Sequence, residues 1–183
     1  LAPPEEYVKL GELDALSANW LNPAQLYDMF KARGLDYGPK LRGLRWLLRD
    51  ESELLAGIQL PETEAKRLTG DATVSLDPTW LDPCLQAMIT LLPDADRRLY
   101  LPMGIRSMRF AAPPEPAQAL FCHVQIRKRS ENSVEGEIAL IDHGGRVLAR
   151  LTGVECTALA DQDESALKPA WNDWTYEQAW TEA

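Results

Sequence analysis

Asp82 and Gln86 stand four residues apart in the segment LDPTWLDPCLQAMITLL (76–92), which is apolar almost throughout. Four residues is about one helical turn, so the carboxyl and the amide share a helix face. Trp80, Leu81, Pro83 and Leu85 flank the carboxyl and would strip it of water. Desolvation penalises a carboxylate and raises its pKa, by up to ~3–5 units when complete. A helix N-terminus pulls the other way with only ~0.3–1 kcal/mol. Burial should win, and the Asp82 pKa should be raised. From these residues alone the pair reads in two ways. It is either a proton-handling site or an ordinary charge at a helix start, and capping preference alone favours the second.

Other reactive residues offer less. His123 falls in an alternating segment and His143 precedes Gly144-Gly145, a turn. Cys84, Cys122 and Cys156 lie more than thirty residues apart, which fits free thiols and no zinc spacing. HExxH, GxSxG, GxGxxG and P-loop motifs are all absent, so no metal site is expected.

The 183 residues suggest one domain, or one and a fraction, with enough chain for a real core. The net charge of −9 is uneven: residues 161–183 carry 1 basic and 6 acidic side chains. The body is nearly balanced, which disfavours nucleic-acid binding. No apolar run approaches the ~18–20 residues of a membrane span. Residues 1–10 lack the features of a signal peptide, so a cytoplasmic protein is the expectation. Arg97-Arg98 and Arg127-Lys128-Arg129 read as solvated faces or, on the functional side, as a surface for an acidic partner.

The elements that must position these residues follow from local signals. Residues 1–20 read as a lead-in linker, 21–160 as the folded body, and 161–183, acidic and then aromatic, as a linker beyond it. Asn22-Pro23 starts a helix and Gly34 ends it. Residues 41–49 and 53–60 read as strands joined at Asp50-Glu51-Ser52. Residues 79–92 form one long apolar helix, with Pro83 fitting only its first turn. Residues 98–110 read as extended but broken at Pro102, and 119–129, 133–142 and 146–158 as antiparallel strands. One apolar helix among five or six strands fits a curved sheet wrapped around it, a hot-dog fold; a generic α+β sandwich is the alternative.

Three short motifs then carry a resemblance. Gly34-Leu35-Asp36-Tyr37-Gly38-Pro39 resembles the Gly-x-x-Tyr-Gly-Pro element of modular polyketide synthase dehydratase domains. Leu81-Asp82-Pro83-Cys84-Leu85-Gln86 resembles their Leu-Asp-x-x-x-Gln element, which opens the central helix of the second hot-dog half. Leu101-Pro102 resembles the Leu-Pro that follows. Order and spacing agree over roughly residues 20–160. Pro83 stands where the family favours Ala, and Asp77-Pro78 where it often has His-Pro. The first-half motif His-x-x-x-Gly-x-x-x-x-Pro is absent.

The resemblance implies the C-terminal half of a double hot dog. It implies a hydro-lyase that removes water from a 3-hydroxyacyl thioester and leaves an enoyl thioester. In such domains the first-half His is the base and the second-half Asp is the acid, here Asp82. Gln86 would hold the carboxyl or the substrate hydroxyl. Tyr37, Gly38, Pro39, Leu101 and Pro102 would line the substrate. Tyr37 reads equally as a core tyrosine. Gly38-Pro39 is expected to shape backbone rather than touch substrate. No cofactor is expected on the domain itself, because substrate arrives on the phosphopantetheine of an acyl carrier protein. The implied partners are the N-terminal half, that carrier, neighbouring synthase domains and a second copy in a dimeric megasynthase. The rival readings are a double-bond isomerase or cyclic-ether-forming relative, and a non-catalytic structural hot dog.

Overall fold

The computed structural model describes residues 6–8, 19–59, 78–92, 98–112 and 119–159. The acidic stretch 161–183 and residues 61–75 lie outside them. Strand β1 (Asn19–Leu21) leads into helix α1 (Pro23–Ala32), and Pro39–Leu41 make a single 3-10 turn. Strands β2 (Leu44–Arg49) and β3 (Glu53–Ile58) precede helix α2 (Pro78–Ile89). Strands β4 (Tyr100–Phe110), β5 (Leu120–Arg129), β6 (Ser133–Asp142) and β7 (Val147–Ala158) complete a sheet ordered β1-β2-β3-β5-β6-β7-β4. Every pairing is antiparallel.

Local chemistry explains the element ends. The Asn22 side chain accepts from the Gln25 amide at 3.1 Å while Gln25 Oε1 accepts from the Asn22 amide at 3.0 Å, a reciprocal cap. Gly34 closes α1 at φ +85°, a left-handed conformation that favours glycine. Asp50 Oδ1 accepts from the amides of Ser52 and Glu53 and so turns β2 into β3.

Helix α2 lies on one face of the sheet, against β2, β3, β5 and β6. Cys84, Ala87 and Met88 are buried with Leu54, Cys122, Val124, Ile138 and Leu140 in one core. Burying each large side chain contributes roughly 1.5–3 kcal/mol. The carbonyls at and just past the C-terminus of α2 are met by guanidinium groups: Arg33 on Ile89 O at 3.4 Å, Arg129 on Leu91 O at 3.0 Å, and Arg49 on Thr90 O. Cations there complement the helix dipole. This is a hot-dog arrangement, with the sheet wrapped on an apolar helix.

Several local expectations change. Residues 41–43 are not strand, because the 3-10 turn and Gly43 occupy them and β2 starts at Leu44. Helix α2 opens at Pro78, so Pro83 sits in its second turn rather than its first. Strand β4 runs through Pro102 without a break, and the irregularity is a register shift between Pro102 and Gly104. An edge strand tolerates a proline there because its missing donor is needed by no neighbour. The body also reaches further toward the N-terminus than residue 21: the Val8 amide donates to Gly145 O, and the Val147 amide to Glu6 O, both at 2.8 Å. Arg129 and Arg98 are not simply solvated. Arg129 caps α2, and Arg98 donates to Glu131 O and Asn132 Oδ1, each at 2.8 Å.

Candidate active site

Helix α2 presents Asp82 one turn inside its N-terminus, half-buried, and Gln86 on the next turn, 1% exposed. Burial pushes the Asp82 carboxyl above the ordinary aspartate range, and the hydrogen bond from Gln86 opposes this in part. The expected raised pKa is therefore present, with desolvation as its main cause. The dipole has little hold on Asp82, since it fades within the first turn.

Gln86 Nε2 donates to Asp82 Oδ2 at 2.6 Å and to Leu41 O at 2.9 Å. The 3-10 turn begun by Gly38-Pro39 delivers that Leu41 carbonyl. On the other side of the amide, the Tyr27 hydroxyl lies 3.2 Å from Gln86 Oε1 and accepts from the Leu44 amide at 3.1 Å. Burial pushes the Tyr27 phenol up to about 12, with the Leu44 hydrogen bond and the charges of Arg42 and Arg45 opposing it. Sequence reading missed Tyr27. The available signal was a hydroxyl on the apolar stripe of α1 between Leu26 and Phe30, since a buried tyrosine hydroxyl usually finds a partner.

Tyr37 packs edge-on against Phe30 (5.3 Å) and Tyr27 (6.2 Å). Its phenol is pushed up, first by burial and then by the nearby negative charge of Asp82. Tyr37 is thus both a core residue and a neighbour of the carboxyl. Arg42 fixes this corner by donating Nε to Tyr37 O at 2.8 Å while its guanidinium lies over the Tyr27 ring.

Gly38 and Pro39 are exposed and shape backbone. Leu101 and Pro102 stand on edge strand β4 opposite Thr157 and Cys156. Pro102 is exposed yet shares the sheet face of buried Cys156, the face that carries α2. Leu101-Pro102 therefore lie beside Cys156, one strand over on β4.

The two histidines are elsewhere. On β5, Cys122 and Val124 point into the core, so His123 points to the opposite face of the sheet. There its Nε2 lies 2.5 Å from Glu53 Oε1, which also accepts from Gln125 at 2.8 Å. His143 is exposed in the β6–β7 turn. The cysteines are free and buried, and among the described residues no cluster of His, Cys, Asp or Glu could hold a metal ion. No helix among the described residues is long and apolar enough to cross a membrane.

A hot-dog sheet with a protonatable aspartate on its central helix defines a class, and comparison with known proteins narrows it. The model of the polyketide synthase dehydratase N-terminal domain family matches residues 12–166. Polyketide synthase PksN of Bacillus subtilis is 30% identical over 149 residues, covering 81% of this chain and 3% of that protein. The highly reducing polyketide synthase azaB of Aspergillus niger is 26% identical over 170 residues, covering 84% of this chain and 7% of that protein. Among solved structures, the dehydratase domain from the CurK module of curacin polyketide synthase superposes with a TM-score of 0.72 at 27% identity, covering 89% of this chain and 56% of that one. A trans-AT polyketide synthase dehydratase domain from Brevibacillus brevis gives a TM-score of 0.76 at 20% identity, covering 87% and 55%. The chain belongs to the polyketide synthase dehydratase family. It spans about half the length of the solved dehydratase chains and a small fraction of the curated synthases.

Proposed function

We propose that this chain is the C-terminal hot-dog half of a polyketide synthase dehydratase and that Asp82 is its general acid. The observation that carries the reading is the Asp82 carboxyl itself: half-buried, raised in pKa, and held at Oδ2 by Gln86. In the reaction a base takes the α-proton of a 3-hydroxyacyl thioester. Asp82 gives its proton to the β-hydroxyl, which leaves as water, and the electron pair of the broken C–H bond becomes the enoyl double bond. A raised pKa keeps the acid loaded as the pH rises toward neutral.

The half assignment is supported by two features. The Leu-Asp-x-x-x-Gln motif sits on the helix that the sheet wraps, and the sequence has no His-x-x-x-Gly-x-x-x-x-Pro. Neither of its histidines adjoins Asp82. The CurK dehydratase is described as inactive both with a histidine replaced by phenylalanine and with an aspartate replaced by asparagine, which agrees with a two-residue acid–base pair. On this reading the base comes from an N-terminal half. The substrate is carried on the phosphopantetheine of an acyl carrier protein, and the chain works beside other domains of a dimeric synthase.

The test is Asp82→Asn in a complete dehydratase domain that contains this chain. The amide keeps size and hydrogen bonding but has no carboxylic proton to give. Enoyl product should form on the order of 10²–10⁴-fold more slowly, the usual range for a general acid. Gln86→Ala should cost less, since it orients rather than transfers. A folded Asn variant that dehydrates at near wild-type rate would remove Asp82 from the mechanism.

A further inference from the structure

Gln86 lies between two backbone groups that each act in one direction only. The Leu44 N–H can only donate, and it donates to the Tyr27 oxygen at 3.1 Å. The Leu41 carbonyl can only accept, and it lies 2.9 Å from the same Gln86 atom that is 2.6 Å from Asp82 Oδ2. An oxygen in that place would face the Leu41 carbonyl with no proton between them. The atom is therefore nitrogen, and its two hydrogens are both spent, one on Leu41 O and one on Asp82 Oδ2. The amide oxygen then faces Tyr27 at 3.2 Å. Because the Tyr27 oxygen already accepts from Leu44, its own proton is left to point at Gln86 Oε1.

An amide nitrogen cannot accept a hydrogen bond. Oδ2 of Asp82 is thus an acceptor in both charge states of the carboxyl. We infer that the chain Leu44–Tyr27–Gln86–Leu41 confines the Asp82 proton to Oδ1, and that Tyr27 is the positioning residue that holds the amide in this sense. The inference rests on the reading of Asp82 as the acid.

Two consequences follow for the chemistry. Gln86 has no donor left for the substrate hydroxyl, so its part is confined to the carboxyl. When Oδ1 gives up its proton, the carboxylate is caught at Oδ2 by an N–H already in place, a bond that strengthens as the charge appears. The Tyr27 phenol keeps its proton at any working pH, since burial pushes it up to about 12, so the brace does not titrate with the acid. Among the described residues, the other titratable and charged groups that act on this corner are Tyr37, Arg42, Arg45 and Cys156.

The experiment is a carbon-detected NMR titration of Asp82 in the 183-residue chain and in its Tyr27→Phe, Gln86→Ala and doubly substituted forms. Tyr27→Phe keeps the ring and removes the brace, so the Asp82 pKa should rise; Gln86→Ala should raise it at least as far. The double variant should match Gln86→Ala alone, because Tyr27 acts only through Gln86. In a complete dehydratase domain Tyr27→Phe should lower kcat by about three- to tenfold, the size of one hydrogen bond, with KM unchanged. A Tyr27→Phe shift that persists in full on the Gln86→Ala background, or no shift in a folded variant, overturns the role of Tyr27. Should Tyr27→Phe not fold, the unaltered chain still decides. Scalar couplings across the hydrogen bonds should link Gln86 Nε2 to the Asp82 carboxyl and Leu41 carbonyl carbons, and a Gln86 nitrogen facing Tyr27 instead overturns the proton assignment. Failure of the acid reading looks different: Asp82→Asn would dehydrate normally while the titration cycle and the couplings stayed as expected.

Discussion

Gly43 and Pro83 meet so closely that a Cβ on Gly43 would fall 2.6 Å from Pro83 Cγ and 3.2 Å from Pro83 Cβ. The contact ties the segment that supplies Leu41 O to the helix turn that carries Asp82. Gly43 O is pinned from its other side by the Gln59 amide at 2.9 Å, so the segment has little room to retreat. The proline is costly where it stands, since a ring inside a helix forfeits a hydrogen bond, here the one its position would donate to Thr79 O. Its buried ring fills the space that Gly43 leaves open, which offsets part of that cost.

Gly43→Ala should therefore destabilise the fold by about 1–3 kcal/mol, the usual cost of overpacking. It should also slow dehydration in a complete domain, because moving Leu41 loosens one of the two anchors of Gln86. Adding Pro83→Ala opens the space again. Thermal melts should show the double variant less destabilised than the sum of the two single changes. Strict additivity would mean that the two residues do not press on one another.

Asp82→Asn should change stability in a pH-dependent way. The folded carboxyl has a raised pKa, so the unfolded chain loses this proton first as the pH climbs. Between the ordinary aspartate pKa and the raised one, the folded state binds more protons and its stability falls with pH. Asparagine does not titrate and escapes the penalty. The melting temperature of Asp82→Asn relative to wild type should rise from acid to neutral pH, and then level off above the raised pKa. A difference that stays flat across this range would show that the Asp82 pKa is not raised in the folded chain.

The fold was legible because its signals are local or periodic. Asn22-Pro23 and Gly34 bound α1 through a cap and a left-handed turn, and β6 alternates between half-buried and buried positions from Ser133 to Ile138 before Ala139, Leu140 and Ile141 are buried in succession. The Asp82–Gln86 pair was legible for the same reason, since four residues on a helix is a fixed geometry. The rest depends on contacts that no local pattern encodes. Pro83 looked like a first-turn proline because nothing nearby announces Gly43, forty residues earlier in the chain. Tyr27 lies between apolar Leu26 and Phe30 on α1, and only the fold brings its hydroxyl to Gln86. Arg129 looked solvated because its acceptor, Leu91 O, lies on another element.

His123 gives the sharpest contrast between sequence and site, and its test bears on the missing base. Histidine is the usual general base near neutral pH, and His123 is the better placed of the two, in a strand of the core sheet. The sheet nevertheless turns it away: Cys122 and Val124 take the face toward α2, and His123 faces Glu53 and Gln125 on the other side. Reaching an α-proton beside Asp82 would require β5 to reverse its faces, a one-residue slip that would also expel Leu120, Cys122 and Val124 from the core. His123→Gln in a complete dehydratase domain should accordingly leave the dehydration rate within about twofold of wild type, the scatter expected of a change remote from the chemistry. If the proposed reading holds, the 183-residue chain assayed alone with a 3-hydroxyacyl thioester should form no enoyl product above background, since on that reading it supplies the acid and an N-terminal half supplies the base. Adding a separately produced N-terminal half should restore turnover. Activity in the lone chain that His123→Gln abolishes would mean the base had been present all along on β5, and both the half assignment and the face of His123 would have to be revised.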